Sequence, residues 1–221
     1  MTRPVPASPS NEDLTLELAA TAARLIAEDG CDYATAKRKA VQLVIGEAGA
    51  TRRRLPENDL VEAELRRYLR TFGGDRHAAL LRRLRGMALK AMEYFAPFNP
   101  HLVGAILNGT ATEHSNIHLH LFTDSAKDVE IFLLNEGVRF TVEEAHEPAG
   151  ALESIYVQLP RRLLGAETDA PDAVLSVLPT NAVRIASRFR SSDGSLSPTE
   201  RSGRASLTAL RTLLSAADTT Q

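Results

Sequence analysis

The chain has 221 residues, 43% hydrophobic and 24% charged, a profile that excludes a disordered or fibrous protein. Its 26 Lys and Arg against 28 Asp and Glu exclude a polycationic nucleic-acid coat, and the single cysteine, Cys31, excludes a disulfide framework and a Cys-based zinc knuckle. No run reaches the ~18 apolar residues of a membrane span, and MTRPVPASPS lacks the apolar core of a signal peptide, so a cytoplasmic protein without membrane or disulfide partners is expected.

Residues 1–10 carry three prolines and read as a disordered tail. Ser10 with Asp13 has capping-box character, and a helix over 11–28 follows, with Leu14, Leu18, Ala22 and Leu25 on one stripe and Gly30 as its stop. Asp32 is placed to cap a second helix carrying Ala36, Ala40, Leu43 and Val44, which Gly46 ends. After a basic loop over 51–56, a third helix over 57–71 presents Leu60, Val61, Leu65 and Leu69 and closes at Gly73 and Gly74. A fourth, capped by Asp75, runs to Phe95 with Leu80, Leu81, Leu84, Met87, Ala88 and Ala91 on its apolar side.

Beyond Pro97 and Pro100 the period changes. Residues 101–108 form an apolar run ending at Gly109, read as a strand, and 116–122 alternate, with Ile117, Leu119 and Leu121 opposite Asn116, His118, His120 and Phe122. Ser125 and Asp128 suggest the cap of a short helix ended by Gly137; strand-like segments follow at 138–143, 154–159 and 173–178, and a last helix at 205–216. The expected fold is α+β: a helical bundle over 11–97, a mixed β-sheet with flanking helices over 98–180, and a C-terminal extension with a terminal helix over 181–221.

Charge is uneven along this frame. Residues 52–90 hold eleven basic residues against five acidic ones, while 113–153 hold nine acids against Lys127 and Arg139. Arg66, Arg67, Arg70, Arg82 and Arg83 are therefore candidate contacts for an anionic ligand or an acidic protein partner, beside the plainer reading of solvated helix faces.

Chemistry concentrates in Leu107-Asn108-Gly109-Thr110-Ala111-Thr112-Glu113-His114-Ser115-Asn116-Ile117-His118-Leu119. A glycine and a hydroxyl residue, a turn, and then Ser-x-Ile-x-Leu on a strand resembles the nucleotide-binding segment of the polymerase β nucleotidyltransferase superfamily. The resemblance implies a nucleotidyltransferase-like sheet in which Ser115, Ile117 and Leu119 match the strand frame and Gly109, Thr110, Ser115, Asn116 and His118 bind the nucleotide or phosphate. In that family two same-face carboxylates of the strand hold magnesium. Here those positions are Asn116 and His118, and the third acidic position falls on Gln158 or Ser176, poor ligands for a hard cation.

The implied protein is a pseudoenzyme that binds a nucleoside triphosphate or another phosphate-bearing ligand at Gly109 and Thr110 with weak or no transfer. A divalent cofactor, magnesium or zinc, is a further expectation. His118 and His120 share one strand face and Asp124 follows, a candidate set of metal ligands, although a His-x-His pair also reads as polar surface and Asp124 as a turn residue. Two other readings stand beside it: an active nucleotidyltransferase moving a nucleoside monophosphate to a protein or small acceptor through an unconventional metal site, and a non-catalytic interaction module using the basic helices.

Overall fold

Local sequence signals account for the first three helices. In the computed structural model, which describes residues 11–46, 55–144, 150–164, 171–185, 194 and 196–218, these are α1 (Asn11–Asp29), α2 (Tyr33–Ile45) and α3 (Asn58–Tyr68). The tail over 1–10 with its Ser10 cap, and the basic loop around Arg52 to Arg54, lie outside the described residues. Asp32 caps α2 by accepting the Thr35 N–H at 2.9 Å, and the Thr35 hydrogen bonds hold its carboxyl below the usual range. Ala19, Ala22, Ala23, Ala36 and Ala40 are buried with Leu18, Ile26, Val41, Val61 and Leu65, so small side chains let the three helices approach closely. The third helix gives way at Leu69 to a π-helical turn, Leu69–Gly73, followed by Gly74 at φ +47°, a conformation glycine adopts without a Cβ penalty.

The chain divides into compact units at this glycine, the first ending at Gly74 and the second beginning at Asp75. The helical region expected over 11–97 is thus divided between the two units. α4 (Gly74–Tyr94) has the periodicity of the preceding helices, but its Leu84, Met87, Ala88, Ala91 and Met92 pack into the core of the sheet. Periodicity shows that a helix has an apolar face; it does not show what that face covers.

In the second unit, α4 and the 3-10 turn Ala96–Phe98 lead into β1 (His101–Val103) and a four-residue helix, α5 (Ala105–Asn108). The apolar run over 101–108 is thus only partly strand, because Gly104 at φ +73° turns the chain out of the sheet after three residues. Next come β2 (Ile117–Phe122), α6 (Ala126–Asn135), β3 (Phe140–Glu143), β4 (Glu153–Val157), α7 (Arg161–Leu164) and β5 (Ala173–Leu178). Ser125 stands at the N-cap of α6, but its side chain makes no capping bond. A 3-10 turn (Thr180–Arg184), α8 (Pro198–Arg201), β6 (Ala205–Ser206) and α9 (Leu207–Asp218) complete the unit.

The fold is α+β, with a helical N-terminal region and a six-stranded mixed sheet in the order β3-β4-β5-β2-β1-β6. β2 runs parallel to β5 and antiparallel to β1, while β6 adds to the outer side of β1. Within the C-terminal segment, Ala205 and Ser206 thus contribute a strand to the sheet. Leu119, Leu121, Ile155, Leu175 and Val177 are fully buried on one sheet face against α4, α6 and α9, as the alternation along β2 requires.

Arg85 of α4 ties these parts together. Its guanidinium donates to the carbonyls of Ile106 at 3.0 Å and Leu107 at 2.8 Å, and to Glu200 Oε1 at 2.6 Å. Glu200 also closes the capping box of α8 with Ser197. Burial alone would raise the Glu200 pKa, but the hydrogen bonds from Arg85 and Ser197 outweigh it and hold the carboxyl below its ordinary value of 4.5. Arg85→Met leaves Glu200 and two helix-end carbonyls without their donor, and is expected to cost about 3 kcal/mol or more in chemical denaturation. A loss below about 1 kcal/mol would contradict the tie. Because the folded pKa of Glu200 is depressed, its contribution is present above pH 4.5 and is lost as pH falls through the folded pKa; the variant, which keeps only the Ser197 bonds, shows a smaller acid-side loss.

Candidate functional site

The face of the sheet away from α4 carries the polar side chains. Register places Ser206, His101, His120, Ser176, Ser154 and Glu143 in one row across all six strands. The neighbouring row runs Val103, His118, Val174, Tyr156 and Thr141. Of the two places considered for a third acidic residue, Ser176 stands directly beside His120, while Gln158 lies past the end of β4.

One end of this face is closed. The Arg204 guanidinium sits 5.2 Å from the centre of the Phe122 ring and donates to the carbonyls of Val183 at 2.6 Å and Ile185 at 3.0 Å, holding the turn after β5 in place. His101 packs edge-on against Phe122 with ring centres 5.2 Å apart, and its Nδ1 donates to the Asn99 carbonyl at 3.0 Å. Beneath them His120 is only 7% exposed, and its buried Nδ1 has no hydrogen-bond partner. Burial first, then the charges of Arg204 and the neighbouring histidines, lowers the His120 pKa to about 4. The other end is open. His118 is exposed by accessible area, although the protein around it still lowers its pKa by desolvation; Gly104 is exposed beside it, and Tyr156 is 42% exposed.

Several sequence expectations need correction here. Gly109 and Thr110 do not stand at a strand end: they follow α5, where both amides donate to the Ala105 carbonyl, at 3.1 and 3.0 Å. Thr110 is 2% exposed and its hydroxyl donates to Asn108 Oδ1 at 2.7 Å, so neither its amide nor its hydroxyl is offered to a phosphate. Ser115 accepts the Thr112 N–H at 2.9 Å and belongs to the internal bonding of the turn, whereas Asn116 is exposed ahead of β2. Asp124 accepts from the Thr180 N–H at 3.0 Å and from its hydroxyl at 2.8 Å, bonds that lower its pKa and commit it to joining two turns. The proposed metal trio His118, His120 and Asp124 therefore does not assemble, and among the described residues no three His, Cys, Asp or Glu side chains are grouped to hold a metal ion.

The arginines divide between the two units. Arg66, only 4% exposed, pairs with Glu62 at 2.7 Å, which removes it from the anion contacts, and Arg67 pairs with Glu64. Arg70 and Arg83 are exposed and Arg82 is half-buried. The sequence reading missed Gly104, His101, Tyr156 and Arg204. Gly104 was concealed in an apolar run, and the other three come to this face only through strand order and register.

Compared with protein-family models, with curated proteins and with solved structures, the chain matches none. Among the described residues no helix is long and apolar enough to cross a membrane, and the one cysteine is free.

The buried neutral His120 makes stability depend on pH. Its folded pKa of about 4 lies below the ordinary 6.5, so the unfolded chain takes up the proton first as pH falls. Stability is expected to decline from pH 6.5 to about 4, by up to ~3 kcal/mol from this residue. His120→Phe should flatten that part of a denaturation-against-pH profile; an unchanged slope would show that His120 is not the buried titrating group.

Proposed function

We propose that the second unit binds a phosphate-bearing ligand, a nucleoside triphosphate being the first choice, on the open end of the polar sheet face and without turning it over. The observation that carries this reading is the exposed Gly104 turn at the end of β1. A Cβ built there lies 3.7 Å from His118 Cβ, so the bare backbone and an exposed imidazole adjoin one accessible surface. His118 supplies a ring N–H to a phosphate oxygen, and Tyr156, across Val174 in the same row, offers a ring edge and hydroxyl to the rest of the ligand.

Binding without turnover follows from the donor set. Besides His118 and His120 the cross-strand neighbours are Val103, His101, Val174 and Ser176, and none supplies the charged oxygen that magnesium requires.

A thermal-shift titration with ATP, GTP, CTP and UTP, each with Mg²⁺, Mn²⁺, Zn²⁺ or EDTA, tests this. A triphosphate at one hundred times its dissociation constant is expected to add about 2.7 kcal/mol, with the shift surviving EDTA. His118→Ala and Gly104→Val should abolish it, whereas Thr110→Val should lower stability and leave the shift intact. Affinity for the triphosphate should rise as pH falls through the depressed pKa of His118, because the protonated ring is the better partner for phosphate, and His118→Ala should lose that rise. Metal-dependent pyrophosphate release would overturn binding without turnover. No shift with any triphosphate would overturn the whole reading in favour of an interaction role for the arginine-bearing helices.

A further inference from the structure

β3 is an edge strand of the sheet, and its residues Thr141, Val142 and Glu143 are exposed. The Gln158 N–H donates to the Arg139 carbonyl at 3.3 Å, which makes Arg139 and Gln158 a hydrogen-bonded pair of the β3-β4 hairpin. Alternation then directs the backbone groups of Thr141 and Glu143 toward β4 and those of Phe140 and Val142 outward, past the sheet edge. These four groups, two N–H and two C=O, form a short template for another strand.

We propose that a second copy of this chain occupies the edge, with β3 pairing antiparallel to β3 of the partner about a two-fold axis at Thr141. The register is dictated by which groups face out. Phe140 must pair with Val142 of the partner subunit and Val142 with the partner's Phe140, which satisfies all four outward groups on each side. The same register sets Arg139 opposite Glu143 of the partner subunit, twice by symmetry, and Thr141 opposite its own copy.

This register is self-complementary in charge. Arg139 and Glu143 are exposed, and directly opposed charges on paired strands attract where like charges repel. Val142, 39% exposed on the apolar side, gains the neighbouring Phe140 of the partner subunit. The helix leading into β3 adds Ile131 and Leu134, 54% and 66% exposed, as further apolar surface next to the edge in sequence. The even spacing of outward groups excludes a shift by one residue, and a shift by two in either direction separates Arg139 from Glu143.

Sedimentation equilibrium and cysteine crosslinking test the pairing. The wild-type chain is expected to approach twice its 24.0 kDa mass as concentration rises. Arg139→Glu or Glu143→Arg should weaken the dimer about tenfold by opposing like charges, and the double exchange should restore it, with circular dichroism unchanged throughout. In a Cys31→Ser background, Thr141→Cys should form a disulfide-linked dimer on mild oxidation, because non-hydrogen-bonded antiparallel partners lie about 4.5 Å apart at Cα. Val142→Cys, staggered from its own copy, should crosslink far less. A chain that stays monomeric at the highest concentrations would overturn the proposal. So would a dimer that ignores Arg139→Glu and does not crosslink through Thr141→Cys.

Discussion

A buried guanidinium organises the second unit. Arg85 lies on the inner side of a helix whose other inward residues are apolar, and it is tolerated there because three acceptors meet it: two carbonyls at the end of α5 and the carboxylate of Glu200. The chain distance is large, since Glu200 lies 115 residues beyond Arg85. α5 cannot hold itself: with four residues it is far below the length at which helices are stable in water. Its end is fixed by the arginine of another helix, and its start is the Gly104 turn. The position of the exposed glycine beside His118 thus depends on an interaction buried on the helical side of the sheet.

The two faces of the sheet follow different physics. The inner face is built from Leu, Ile and Val, and its contribution grows with the apolar area removed from water. The outer face has fewer apolar side chains and uses a guanidinium over an aromatic ring to anchor the turn that covers His120 and Phe122. Desolvation there keeps His120 neutral, and the Arg204 charge acts in the same direction. His120 therefore adds no positive charge to this face at neutral pH.

Much of the fold was legible in the sequence because its signals are local. The α2 cap at Asp32, the alternation along β2 and the strand over 173–178 depend on neighbouring residues alone, and each stands where the pattern placed it. Errors arose where one local pattern has two outcomes. The run over 101–108 is apolar in both its strand and its helix, and only the conformation of Gly104 separates them. α4 reads as one more amphipathic helix of a bundle, yet it packs with the sheet. The two-residue β6 is too short to carry any period.

The candidate site was less legible, for a physical reason. Sequence by itself determined the residue types and their alternation: His118 and His120 on one face of a strand, carboxylates missing from that strand, and a glycine-hydroxyl pair shortly before it. It could not determine exposure, because burial and hydrogen bonding are settled by elements distant along the chain. Only the tertiary structure turned Gly109 and Thr110 inward by committing their amides to Ala105, occupied Asp124 with Thr180, buried Arg66 on Glu62, and covered His120 while leaving His118 exposed. Strand pairing likewise brought Ser176 beside His120 and Tyr156 into the row of His118, because hydrogen-bonded register, unlike periodicity, relates residues that share no local sequence.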